Sequence, residues 1–344
     1  GTLGELVGLD FQWINDLHIH FSIGVDGLGL ILVVLSAVLP FFIILSSFQL
    51  KIEHSRWFYA LILFMQSALI GVFSARDGFL FYVFWEMTLI PAYFLVLIWG
   101  GAKRVKQTLK FFVYTLAGSL LMLAALIFLY FKTPGTHSFS MDILCNLTLT
   151  PLEQLGVFAA FFLAFAIKTP LFPFHTWQPD TYETASPTTT MMLAALMSKM
   201  GIYGMIRFIF PLCPDPVQFV GPLVMGLGVA GLIYASGMAL VQPNFKKLLA
   251  YSSMAHLSLI VVSLFSQTLV SLQGSLIQMV SHAVLSVGLF TVAQLIESRY
   301  GTMELKQLGG ISTDNRFFTS SFFQILLGSI AFPLTCGFVG EFTL

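Results

Sequence analysis

The sequence predicts an all-α fold: a polytopic bundle of transmembrane helices with two proline-broken helices set in two inverted repeats. Three observations carry this. Of the 344 residues, 57% are hydrophobic and only 9% are charged, against about 25% charged in a soluble domain. The apolar residues fall in long runs, each near the roughly 20 residues a helix needs to cross a bilayer. These runs lack the short alternation of a membrane β-barrel, which leaves helices as the way to satisfy the backbone in lipid.

Taken in order, residues 1–26 are mixed in polarity, with Glu5, Asp10, Trp13, Asp16, His18 and His20. They suit an interfacial, non-cytoplasmic segment with an aromatic anchor. Residues 27–344 form one multi-span membrane domain. Its expected spans are 27–50, 57–74, 79–99, 107–131, 152–181, 188–210, 217–241, 246–266, 271–297 and 317–344. Lys and Arg gather at the loops after the odd-numbered spans, which places those loops on the cytoplasmic side or its equivalent and residues 1–26 opposite. There is no initiator methionine and no signal peptide, and the last apolar run is incomplete, so the sequence reads as a fragment of a longer membrane protein.

The fifth and tenth runs are broken. In the fifth, Lys168 ends an apolar stretch and Pro170 and Pro173 follow. In the tenth, Pro333, Gly337 and Gly340 precede Glu341. Proline removes a ladder donor and pushes Thr169 out of helical geometry. Broken helices at corresponding places in two halves point to inverted repeats with a midplane site. Their odd offset makes them run in opposite directions. The first half-helix is expected to end in unpaired carbonyls beside Lys168, and Glu341 to lie near the positive start of the second.

Four ionisable residues lie inside spans: Glu86, Lys168, Lys199 and Glu341. A lysine in hydrocarbon costs about 2.5–3.5 kcal/mol on insertion scales, so such residues mark ion pathways more often than packing. Lys110 and Arg207, near span ends, are better read as paired or snorkelling charges. His175 follows the first break, and His256 and His282 lie in spans eight and nine among Ser252, Ser253, Ser258, Ser281 and Ser286. A buried histidine is more often a packing residue, but it is also suited to passing protons. Together these side chains make a polar line through an apolar protein.

Other chemistries are excluded. The net charge is zero, so nothing suggests nucleic acid. Cys145, Cys213 and Cys336 have neither metal nor disulfide spacing. No glycine-rich phosphate loop occurs, and no histidine pair is spaced for haem or metal. No cofactor and no metal is expected in this chain.

Several stretches carry a family resemblance: FYVFWEMTLIPAYFLVLIWGG (81–101), FFVYTLAGSLLML (111–123), AFAIKTPLFPFHTWQPDTYETASP (164–187), KKLLAYSSMAHLSL (246–259), QMVSHAVLSVGLF (278–290) and GFVGEF (337–342). The chain resembles the antiporter-like membrane subunits of respiratory complex I, the proton-translocating NADH:quinone oxidoreductases, which are akin to Mrp-type sodium/proton antiporters. It is most similar to the M, or ND-four-type, chains, because GFVGEF places a glutamate in the second broken helix. The resemblance implies that Glu86 pairs with Lys168, the lysine of the first broken helix, and that Lys199 is the central-axis lysine. It places His256 and His282 on the polar axis and makes Glu341 the exit-side acid. His175 matches the histidine after the break. A fourteen-helix fold is implied, with helices beyond both ends of this sequence.

The function so implied is proton translocation along a Glu/Lys/His axis, coupled to quinone reduction elsewhere in the complex. FMN, iron–sulfur clusters, NADH and quinone would then belong to partner subunits. The partners would be other membrane subunits, neighbouring antiporter-like chains among them. The location would be an energy-transducing membrane, the bacterial inner membrane before the mitochondrial one. The alternative is a stand-alone Mrp-type Na⁺/H⁺ antiporter subunit, whose site would look nearly the same. A structural spacer is disfavoured by four intramembrane charges.

Overall fold

The computed structural model describes residues 7–311 and 316–344. Residues 1–6, Glu5 among them, lie outside the described residues. A β-hairpin comes first: β1 (Val7–Ile14) pairs antiparallel with β2 (Ile19–Val25). The predicted interfacial segment therefore carries a small sheet that hydropathy alone does not show. Alternation is its cause. Leu9, Phe11 and Trp13 lie on one face of β1, and Phe11 stacks on Phe21 of β2 at 5.1 Å.

Thirteen helices follow among the described residues. They are α1 (Gly27–Ser47), α2 (Ser55–Ser74), α3 (Gly78–Trp99), α4 (Arg104–Lys132), α5 (Met141–Cys145), α6 (Pro151–Lys168), α7 (Trp177–Thr184) and α8 (Pro187–Leu212). Then come α9 (Pro214–Leu240), α10 (Phe245–Phe265), α11 (Leu269–Tyr300), α12 (Arg316–Ser329) and α13 (Cys336–Thr343). Nine of these are long and apolar enough to cross a membrane. Within the predicted tenth span the described residues form α12 and α13, separated by a break around Pro333.

Polar caps set the helix starts, since a helix begins with four amides that lack partners. Asp77 accepts from the Phe79 and Leu80 amides at 2.9 and 3.0 Å. Thr150 and Glu153 form a reciprocal capping box ahead of α6. Ser186, Asn244 and Thr268 cap α8, α10 and α11. Gly301 closes α11 in the left-handed region, with φ +67°.

Two rims emerge. The hairpin bridges to the α2–α3 connection at Ile23 and Ala75, and Asp77 bridges to Ser140. On the other rim Asn244 bridges to Glu304, and the Gly101 amide donates to the Thr184 carbonyl at 2.8 Å. This separation agrees with the loop charges. The chain thus enters α6 from the hairpin rim and α12 from the opposite one, so the two broken helices run in opposite directions.

Helix α8 lies at the centre and is the most buried of the nine spanning helices, whereas α9 is the least buried and faces outward. Small residues let neighbouring backbones close on α8. A cap also fixes the start of α1 to the end of α8. Asp26 accepts from the Gly29 amide and forms an ion pair with Arg207, which also donates to the Tyr203 hydroxyl at 3.0 Å. Burial alone would raise the Asp26 carboxyl pKa, but the Gly29 amide and the Arg207 guanidinium outweigh it and hold it below the usual range. Breaking a buried pair strands its partner at about 3–5 kcal/mol. Arg207→Leu should therefore lower the thermal midpoint of the purified protein. Adding Asp26→Asn, which keeps the cap and removes the stranded charge, should restore much of the loss.

Candidate functional site

The site is built around the break after α6. The helix stops at Lys168 because Pro170 cannot continue it. Its terminal carbonyls are nevertheless engaged, contrary to the expectation of an open end. Phe165 O accepts from the Thr169 amide at 2.8 Å and Ala166 O from the Leu171 amide at 2.8 Å. Ile167 O accepts from the Trp177 indole Nε1 at 2.9 Å. The physical reason is burial: an end without water must find its partners within the protein.

Lys168 is 2% exposed. Its Nζ lies 3.5 Å from Thr88 Oγ1 and 5.3 Å from the centroid of the Trp85 ring. Both groups belong to α3. Glu86 lies on the same helix, yet no ion pair joins it to Lys168 among the described residues. The expected direct pairing is not made: Trp85 and Thr88, three residues apart on one helix face, take the ammonium, while position 86 is set about 100° around the helix from Trp85. Glu86 Oε1 is buried without a hydrogen-bond partner among the described residues.

Helix α8 carries Lys199 and contains two π-turns, Leu193–Met197 and Met205–Ile209. Such turns cluster at functional positions. Lys199 follows the first of them. It is 1% exposed, and its Nζ donates to the Ala194 carbonyl at 2.8 Å. Nζ also lies 2.6 Å from His282 Nδ1 and donates to Ser198 Oγ at 3.4 Å. Lys199 sits near Lys168 in the fold because α6 and α8 touch backbone to backbone. A Cβ at Gly201 would stand 2.1 Å from Thr169 Oγ1 and 2.5 Å from Phe165 O. Among the described residues no hydrogen bond links the two lysines directly.

From His282 the polar line continues. Its Nε2 lies 3.0 Å from Ser253 Oγ, and Ser286 Oγ lies 3.3 Å from Nδ1. The rings of His282 and His256 are 6.0 Å apart, centroid to centroid. A cavity of about 20 Å³ touches both, lined by Ser252, Ser253, Gln278 and Ser286. That is room for one water with several polar partners. His256 Nδ1 then meets Glu341 Oε1 at 2.9 Å, and Gln278 Nε2 donates to the same oxygen at 3.1 Å. Lys199, His282, His256 and Glu341 therefore form one line across α8, α11, α10 and α13.

Glu341 differs from expectation in one respect. It is the sixth residue of α13, which begins at Cys336. The field of a helix start fades within the first turn, so His256 and Gln278 hold this carboxylate rather than the dipole. His175 does not join the line. It is buried between the Phe172 and Tyr234 rings, at 5.7 and 5.0 Å, with Nδ1 unpartnered among the described residues.

Some contacts carried no sequence signal strong enough to find them. Trp85, Thr88 and Gln278 lie within apolar runs where aromatic and small polar residues read as packing. A further group lies at the outer end of α7. There Lys110 pairs with Asp180 at 2.9 Å, and Lys247 reaches Asp180 and Glu183 at 3.3 and 3.2 Å. No cluster of histidine, cysteine and acidic side chains suited to a metal ion occurs among the described residues.

Residues 75–344 match the family described as NADH:quinone oxidoreductase/Mrp antiporter, TM. NADH-quinone oxidoreductase subunit M of Rickettsia conorii is 36% identical over 338 residues, covering 96% of this chain and 67% of that protein. The chain thus spans about two thirds of the length of such relatives. A chain of respiratory complex I from Thermus thermophilus with bound NADH superposes with a TM-score of 0.90 at 29% identity, covering 99% of this chain and 72% of that one. A chain of the Mrp complex from Dietzia sp. gives 0.88 at 21% identity, over 98% of this chain and 37% of that one, which is a likeness of fold.

Proposed function

The chain belongs to the NADH:quinone oxidoreductase/Mrp antiporter transmembrane family, and from that membership we propose that it moves protons through the membrane arm of a complex I. Its similarity to subunit M chains supports this assembly over a stand-alone antiporter. One observation carries the reading: the line of Lys199, His282, His256 and Glu341, joined by contacts of 2.6 and 2.9 Å around a water-sized gap. A lysine beside a histidine beside a carboxylate can pass a proton in steps, because each holds it reversibly.

The driving event lies outside this chain. FMN, iron–sulfur clusters, NADH and quinone would be held by partner subunits, and the contact with them would be electrostatic. A charge moved near Glu86 changes the attraction that keeps Lys168 protonated. Lys168 in turn acts on Lys199 across the α6–α8 contact. Neighbouring antiporter-like subunits are the expected partners, in a bacterial inner membrane.

The test is made on the whole complex in vesicles. His282→Leu and His256→Leu should each lower proton uptake by about tenfold or more, in line with the loss of a proton-transfer group. Ser286→Ala should lower it far less, because Lys199 already occupies the same ring nitrogen. Proton uptake at the wild-type rate in both histidine variants would overturn the assignment.

A further inference from the structure

A buried ammonium ordinarily rests on a carboxylate. Lys168 does not. Its Nζ faces the Trp85 ring at 5.3 Å and Thr88 Oγ1 at 3.5 Å, while the nearby Glu86 leaves Oε1 without a partner among the described residues. Both contact groups are shaped for a cation. Thr88 donates its own proton to the Trp85 carbonyl at 2.8 Å, so its oxygen is left with lone pairs to offer. The face of an indole is the best π surface for an ammonium. Trp85 is also held in place. It is 2% exposed and packs on Phe81 and Phe165, each at 5.6 Å between centroids. Phe165 lies one turn before Lys168, so the same contact fixes the ring and the start of the lysine side chain.

Resting on the function proposed above, we propose that Trp85 and Thr88 form a second seat for the Lys168 ammonium, beside Glu86 on α3, and that Trp85 is a positioning residue for proton transfer. The side chain of Lys168 then has two places to be. On Glu86 it is held by a full charge. On Trp85 and Thr88 it remains charged but is released from the carboxylate. A swing about its own stem connects the two, with no movement of α3 or α6. The mechanism so gains a state in which Lys168 is protonated and Glu86 is free to take another partner.

Truncating Trp85 risks the packing, so the test keeps its shape. Fluorinated tryptophans placed at position 85 of the whole complex weaken the π face stepwise with little change in volume. Proton uptake is measured beside NADH oxidation in vesicles, with Lys168→Ala and Thr88→Ser alongside. The expected result is a graded fall, about tenfold from tryptophan to the most fluorinated form. Thr88→Ser should keep activity and Thr88→Val should lose part of it. Uptake that stays level across the fluorinated series, with Lys168→Ala inactive, would overturn the second seat and leave the proposed function standing. Wild-type uptake in Lys168→Ala would overturn the coupling role given to Lys168 above, and the second seat with it.

Discussion

Arginine at position 199 should stop proton uptake while leaving the complex assembled. The Lys199 Nζ is 2.6 Å from His282 Nδ1 and 2.8 Å from the Ala194 carbonyl. An amine in that position can give its proton to the imidazole and recover it. A guanidinium keeps its proton in proteins, so Lys199→Arg preserves the positive charge and removes the transfer. A fall of about tenfold or more in proton uptake, measured beside NADH oxidation, is the expected size. Lys199→Ala should fail as well. If the charge served packing alone, the arginine form would pump normally and only the alanine form would fail, which would refute a carrier role.

The second large effect concerns stability. Gly201→Ala places a methyl 2.1 Å from Thr169 Oγ1 and 2.5 Å from Phe165 O. The hydroxyl can turn away, but Phe165 O belongs to the backbone and already accepts from the Thr169 amide. Either the end of α6 or the middle of α8 must shift. Overpacking of this kind costs about 1–3 kcal/mol and occasionally more. A lower thermal midpoint and less assembled subunit are expected. Gly237→Ala is the matched comparison: nothing lies within 4 Å of its added carbon. It should be neutral or slightly stabilising, as alanine is in an open helical position. Equal behaviour of the two variants would mean that the α6–α8 contact is looser than its distances indicate.

Much of the fold was legible because the bilayer imposes a simple code. Length and hydropathy set the nine spanning helices, and Pro170 and Pro333 announced both breaks. The charged residues of the site were legible for the same reason: Lys199 and Glu341 are conspicuous only because their neighbours are apolar. What stayed hidden depends on direction around a helix. Nothing in the string FYVFWEMTL says that Lys168 will meet Trp85 and Thr88 instead of Glu86. That outcome turns on how α6 approaches α3. The hairpin was missed because Gly8, Asp10 and Gly24 mask a short alternating pattern in a segment read for hydropathy. The π-turns of α8 left no mark at all, since their residues suit an ordinary helix equally well.

The end of α6 has a mechanical meaning. Breaks in membrane helices invite comparison with hinges, but here three successive carbonyls are tied to Thr169, Leu171 and Trp177. Bending at that point would sever bonds that lipid cannot replace. The interruption is therefore a welded corner. It holds Lys168 at a fixed depth, and on the function proposed above a signal would cross the membrane's middle as redistributed charge while the scaffold around it keeps still.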